Sequence, residues 1–469
     1  MEVNAMTLAD RPMGPISKVV GLYQTLLRRS LEHFFPDGVL EAEGDRSFIN
    51  WDGLPVEEHF RVRDDPDGLG VQIDWFRSHY TFLPGSPAPF LPAERRLIRM
   101  ILRALDLRFR SLFDLDVAHR IERFQYLQED LIISDYLNFE DNFRIPAALE
   151  ALRVAALSTY ENRRVSLGAL LLGTPTDPAV PDWVNPEGAP RFNIRLTAIK
   201  GFHRLCDGVK TLFVVDQAGD LTRVVDIRKW AEACQGDEPL ENPCPRDYVG
   251  HARATLNGRH VCLVLTPSQE IKVFADGTLA FAFSDARWRL LDIPTKYAAW
   301  CKAVGKGCSS DLAHRIFQAG LNLSEDRRGA LFVVLRDPAD SIPKLIAPTD
   351  RIADEVAFDD PQDPDNLSPR LAKQALHHVV RGRSLIDLDA TVLEAIAGID
   401  GAVVTDLEGR LITFGAILRI NSESQRVARA VEGARTLAAL AASYHGPVLK
   451  VSEDGFLTMF LGGRRVWEL

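Results

Sequence analysis

The seven residues from Gly329 to Leu335, GALFVVL, carry no polar side chain. An apolar run of that length between charged segments predicts a strand buried inside a sheet. A stretch with helical spacing, LAHRIFQAGLNLSEDR, precedes it. Beyond it the chain keeps alternating. SPRLAKQALHHVVRG predicts a helix, DGAVVTD and GRLITFGAIL a pair of strands, EGARTLAALAAS a helix, and PVLKVS with FLTMFLGG a closing pair. Helices and strands at this spacing bury one another only in layers, so residues 307–469 are expected to form an α/β (α+β) domain with a central mixed sheet flanked by helices. The acidic DDPQDPDN at 359–366 interrupts the pattern as a solvated loop.

A chain of 469 residues exceeds what one hydrophobic core usually supports. Two further regions precede the α/β part. Residues 1–175 are expected to be mainly helical and of unknown role, because SKVVGLYQTLLRRSLEHFF, LPAERRLIRMILRALDLRFRSLF and IPAALEALRVAALSTYENRRVSLGALLL all space apolar residues helically. Between the first two, the Pro-, Gly- and aromatic-rich residues 56–92 suggest irregular or short-strand structure. LGTPTDPAVPDWVNPEGAPRF, residues 172–192, has five prolines, cannot continue a helix and marks a linker. Residues 190–300 are strand-rich. VKTLFVVDQAGDLTRVVDI and the segments split by PSQ, ADG and SDA predict an antiparallel meander.

With 65 acidic against 55 basic side chains the net charge is −10, which excludes a broad non-specific nucleic-acid surface. No apolar run approaches the roughly 20 residues that span a bilayer, and the N-terminus lacks signal-peptide character. A cytoplasmic protein is expected, with no membrane partner. The six cysteines contain no CxxC pair, so they are expected to be buried free thiols and not a zinc or redox site. Trp288 is expected to anchor a core.

The chemistry concentrates near the end of the chain. Asp400-Gly401-Ala402 opens a strand. Gly401 and Ala402 would let a base or ribose approach the backbone, and Asp400 could hold a metal or a ribose hydroxyl. The helix beginning near residue 434 would offer free N–H groups and a positive dipole end to phosphate oxygens, with Arg435 adding a charge-assisted contact. A purely structural reading also fits. In it DGA is a turn, Arg435 pairs with a carboxylate, and Ser452 and Glu453 cap a hairpin.

In order and spacing, these features resemble the diadenylate cyclase (DAC) domain of DNA-integrity-scanning proteins and membrane-bound cyclic-di-AMP synthases. The resemblance rests on the strand GALFVVL, the motif Asp400-Gly401-Ala402, the strand ending near GAIL, the segment Ala434-Arg435-Thr436-Leu437 and the strand end Val451-Ser452-Glu453. It implies a site for ATP or a cyclic dinucleotide formed by Asp400, Gly401, Ala402, Gly433, Arg435, Thr436, Ser452 and Glu453. A divalent metal, Mg or Mn, would enter with the nucleotide on Asp400 and Glu453. In an active cyclase Asp400 would be catalytic. The cyclases, however, carry Thr-Arg-His-Arg where this chain has Ala434-Arg435-Thr436-Leu437. Each donor lost from a transition-state charge costs about 2.7–4 kcal/mol. EGAR-T followed by KVSEDG is similar to a divergent DAC-like group of nucleotide sensors, the DACNV type, and that similarity extends over roughly 190–300. The implied role is a nucleotide sensor without efficient cyclase activity, able to form an oligomer and acting on an unknown downstream effector. The alternative is an active cyclase making cyclic di-AMP from two ATP.

Overall fold

The structure, a computed structural model, describes residues 16–43, 60–75, 78–85, 88–113, 124–137, 143–173, 189–198, 201–236, 238–256, 260–305, 310–352, 377–378, 380, 382–420 and 433–469. Most of the 172–192 linker, the 359–366 acidic loop, Cys308 and nearly all of the helix expected at 368–382 lie outside them. The chain divides into two compact units. One comprises 1–226, 259–273 and 281–290, the other 227–258, 274–280 and 291–469.

In the first unit, helix α1 (Ile16–Phe34) leads into a four-stranded antiparallel sheet of β1 (Val39–Glu43), β2 (Phe60–Asp64), β3 (Val71–Trp75) and β4 (Ser78–Leu83), in the order β1-β4-β3-β2. The short strands expected over 56–92 are thus three members of one sheet. Helices α2 (Pro92–Phe113), α3 (Gln128–Tyr136) and α4 (Arg144–Ala156) follow.

Helical structure expected to run through LSTYENRRVSLGALLL stops at Ala156. Glu161 and Asn162 adopt left-handed backbone angles, φ 50° and 61°, and reverse the chain between β5 (Thr159–Tyr160) and β6 (Arg163–Arg164). LGALL then forms β7 (Leu167–Leu171), buried at every position. An unbroken apolar run has no period, so helix and buried strand look alike in it.

β7 also changes the expected meander. It runs parallel to β8 (Thr211–Val215) and antiparallel to β10 (Val261–Leu265). The strands β9 (Leu221–Asp226), β11 (Ile271–Ala275), β12 (Thr278–Ser284) and β13 (Arg287–Leu290) complete a mixed sheet in the order β13-β12-β11-β10-β7-β8-β9. Trp288 is buried, as expected, its ring 5.1 Å from that of Phe283. Cys206 and Cys262 are buried free thiols, and burial pushes the Cys206 thiol up to about 11.

The second unit holds α5 (Ile227–Gln235), α6 (Val249–Ala254), α7 (Ile293–Val304) and α8 (Ser310–Glu325) ahead of a six-stranded sheet. That sheet contains β14 (Ala330–Leu335), β15 (Ala402–Asp406), β16 (Leu411–Ala416), β17 (Val448–Val451), β18 (Leu457–Leu461) and β19 (Arg464–Glu468), in the order β16-β15-β14-β17-β18-β19. β19 adds a third strand to the expected closing pair. β14 is central, parallel to β15 and antiparallel to β17, and all six of its residues are buried.

Both faces of β14 are covered, which is why GALFVVL needs no polar side chain. Leu331, Val333 and Leu335 join Val448, Phe460, Leu345 of α9 (Pro338–Leu345) and Ala439, Leu440 and Ala442 of α11 (Ala434–Ala442) in one cluster. On α8, Gly320 lies so close to the sheet that a Cβ there would stand 3.0 Å from Leu449 and Leu457. Helix α10 (Ala390–Ala397) leads into β15. The fold is mixed α/β, of the α+β kind, with helical and strand-rich regions.

Candidate functional site

Strand register determines which loops meet. Ala330 at the start of β14 pairs with Val451 at the end of β17, and β15 begins beside them, Val403 opposite Phe332. The segments before β14, before β15 and after β17 therefore share one end of the sheet. Helix α11 starts at that end too, since Thr436 in its first turn accepts a 2.9 Å hydrogen bond from Lys450 Nζ on β17.

Three charges separated in sequence converge there. The Arg435 guanidinium places Nη1 3.3 Å from Glu453 Oε1 and Nη2 3.9 Å from Asp400 Oδ1. Asp400 and Glu453 side chains are 91% and 74% exposed, Arg435 30%. Exposed pairs of this kind contribute about 0–1 kcal/mol, so fold stability gains little from the arrangement. What it does provide is a cation with two acceptors whose remaining oxygens face solvent.

The other expected site residues have more local roles. Gly401 has φ 117°, and a Cβ there would stand 2.3 Å from the Gly415 carbonyl carbon. The room it leaves is filled by the neighbouring strand's backbone, where sequence reasoning assigned it to a base or ribose. Ala402 faces the core cluster and not the solvent end. Gly433 precedes α11 at φ 94°, a conformation that favours glycine, and its carbonyl accepts from the Leu437 N–H. Ser452 Oγ accepts from the Phe456 N–H at 3.1 Å, and Ser452 N donates to the Phe456 carbonyl, so this side chain closes the β17–β18 turn. The structural reading of Arg435 and Ser452 is thus met by the geometry, and it leaves the oxygens of Asp400 and Glu453 that do not face Arg435 directed to solvent.

Two residues escaped sequence reasoning. Gly329 lies under the Arg435 guanidinium, where a Cβ would come 2.1 Å from Nη1. Nothing in a glycine at a strand start announces that contact. Lys450 could have been noticed as the one charge within PVLKV. Burial lowers its ammonium pKa, Glu468 offsets this in part, and the nearby Arg435 and Arg465 lower it further. Among the described residues no group of three or more His, Cys, Asp or Glu side chains could hold a metal ion by itself, and no helix is long and apolar enough to cross a membrane.

No protein-family model matches the chain. No curated protein matches it either. Among solved structures the chain is similar to a hypothetical membrane spanning protein from Bacillus cereus, at 20% identity over 37% of this chain and 71% of that one, with a TM-score of 0.25. It is also similar to a double mutant of DacA from Staphylococcus aureus, at 20% identity over 33% of this chain and 86% of that one, with a TM-score of 0.19.

Proposed function

We propose that residues 307–469 form a DAC-like nucleotide-binding module that takes ATP or a related nucleotide with a divalent cation and makes little or no cyclic dinucleotide. The observation that carries this reading is the Arg435 guanidinium held between Asp400 and Glu453 at the start of α11. An incoming phosphate would meet Arg435 and the free N–H groups of the first turn, but also two carboxylates that repel it. Asp400 and Glu453 would hold a magnesium ion, which binds through one or two carboxylates together with substrate phosphates and would offset their repulsion of the phosphate. With those two carboxylates on the cation, Arg435 would be left to donate to phosphate oxygens.

Chemistry beyond binding is disfavoured by Leu437 and Ala434, which stand where the cyclase motif has an arginine and a threonine and which offer no side-chain donor to phosphate. A module that binds without turnover suits a sensor, its occupancy read out by the rest of the chain. The test has two parts. Calorimetry with ATP and Mg²⁺ is expected to detect binding, and incubation with ATP and Mn²⁺ is expected to yield no dinucleotide. Efficient formation of cyclic di-AMP would replace the sensor by a cyclase, and absence of binding to both ATP and cyclic di-AMP would end the reading.

A further inference from the structure

A second arginine stands at the same end of the sheet, in the α8–β14 connection SEDRRG. Arg327 takes a left-handed conformation, φ 52°, which turns the chain out of α8, and Arg328 N then donates to the Leu323 carbonyl. The exposed Arg328 side chain extends over Gly398 at the end of α10, where a Cβ would come 2.3 Å from Nη2 and 3.0 Å from Cζ. Gly398 has φ −77° and ψ −6°, which any residue adopts. The guanidinium, and not the backbone, occupies the space a side chain would need. Among the described residues the Arg328 guanidinium has neither an ion-pair nor a hydrogen-bond partner.

The two arginines occupy neighbouring glycine seats. Arg435 rests on Gly329, the residue after Arg328, and Arg328 rests on Gly398, two residues before Asp400. Two residues span at most about 7 Å of extended chain, and Asp400 lies 3.9 Å from Arg435. Arg328, Arg435 and Lys450 thus bring three cationic side chains to an end that also carries the exposed carboxylates of Asp400, Glu453 and Asp454. With Asp400 and Glu453 holding a divalent cation, Arg328 and Arg435 would be left to oxygens of an anion with several adjacent phosphates, which suits them better than isolated phosphodiesters.

We infer that Arg328 is a phosphate-binding residue and that the site prefers a nucleoside di- or triphosphate to a nucleoside monophosphate or a cyclic dinucleotide. This rests on the nucleotide-binding reading above. The test is calorimetry on the full chain with Mg²⁺ and, in turn, ATP, AMP and cyclic di-AMP, using wild type, Arg328→Gln and Gly398→Ala. Wild type is expected to bind ATP most tightly. Arg328→Gln should weaken ATP about tenfold to a hundredfold, the range of a hydrogen bond to a charged group, and AMP much less. Gly398→Ala keeps the charge but displaces it, and should weaken ATP in the same selective way with an unchanged melting temperature. Binding of ATP by wild type and Arg328→Gln with equal affinity overturns this inference alone. Equal losses for all three ligands, or a wild-type preference for AMP or cyclic di-AMP, overturn the polyphosphate assignment. No binding by wild type overturns the underlying reading as well.

Discussion

Asp207, ahead of β8 in the seven-stranded sheet, and Asp400, ahead of β15 in the six-stranded sheet, put one side chain to opposite uses. The Asp207 carboxylate accepts from the N–H groups of Val209, Lys210 and Thr211 at 2.7–3.0 Å. Its partners lie within four residues, and the turn is complete in itself. Asp400 has its charged neighbour, Arg435, thirty-five positions away in sequence. A carboxylate saturated by its own loop is structural. One left exposed beside a distant cation contributes little to the fold and remains open to a ligand. Asp406, which accepts from the N–H groups of Glu408 and Arg410, shows that the six-stranded sheet also uses the self-contained kind where a turn is all that is needed.

The largest effect that would sharpen this contrast is on binding. Arg435→Ala is expected to weaken the ATP–Mg²⁺ complex by about 1.5–3 kcal/mol while changing stability by no more than about 1 kcal/mol. Calorimetry and urea unfolding on one preparation measure both, and a stability loss larger than the binding loss would make Arg435 a structural residue.

Next in size, Asp207→Ala should destabilise the protein by about 0.5–2 kcal/mol, as loss of a capping acceptor does, with nucleotide affinity untouched. Burial acts to raise the Asp207 pKa, but the backbone bonds from Thr211, Lys210 and Val209 outweigh it and hold the group below its ordinary value. A depressed carboxylate stabilises the fold above the unfolded-state pKa, and that stability is lost as pH falls through the folded value. Acid unfolding followed by circular dichroism should therefore show a shallower acid limb for Asp207→Asn than for wild type.

A smaller effect is expected at Lys450. Its folded pKa is depressed, first by burial, so the folded state releases this proton earlier than the unfolded state. Stability contributed by this group rises with pH through the window between the two values. Lys450→Met should remove that rise and, at neutral pH, shift stability by about 1 kcal/mol or less, because loss of the Thr436 bond opposes relief of the buried charge. Chemical denaturation between neutral and alkaline pH measures it. Smallest of all, Asp400→Asn should change stability by less than about 0.5 kcal/mol, as surface substitutions do. A larger loss would place Asp400 with Asp207 and erase the distinction between them.

Much of the α/β unit was legible because its elements are strongly patterned. GALFVVL, LAHRIFQAGLNLSEDR and the DGAVVTD/GRLITFGAIL pair all take their expected form. LGALLL did not, since an aperiodic apolar run lacks the signal that separates helix from buried strand. RRVWE carries no strand signal, because its exposed arginines break up the apolar pattern. At the site, the convergence of Asp400, Arg435 and Glu453 followed from motif order, but the Gly329 and Gly398 seats did not. They record contacts between residues far apart in sequence, on backbones without a positive φ, so no local rule marks them. Gly401 shows the converse. Its need for glycine was legible, and the cause is the adjacent strand.

In the proposed site, Asp400 and Glu453 would exchange Arg435 for a divalent cation when nucleotide binds. ATP affinity measured by calorimetry at saturating Mg²⁺ and again with EDTA tests it most directly. At least about tenfold tighter binding with Mg²⁺ is expected, since without the cation the two carboxylates face the phosphates, and the difference should shrink in the Asp400→Asn/Glu453→Gln double variant. Equal or tighter binding in EDTA would contradict the account.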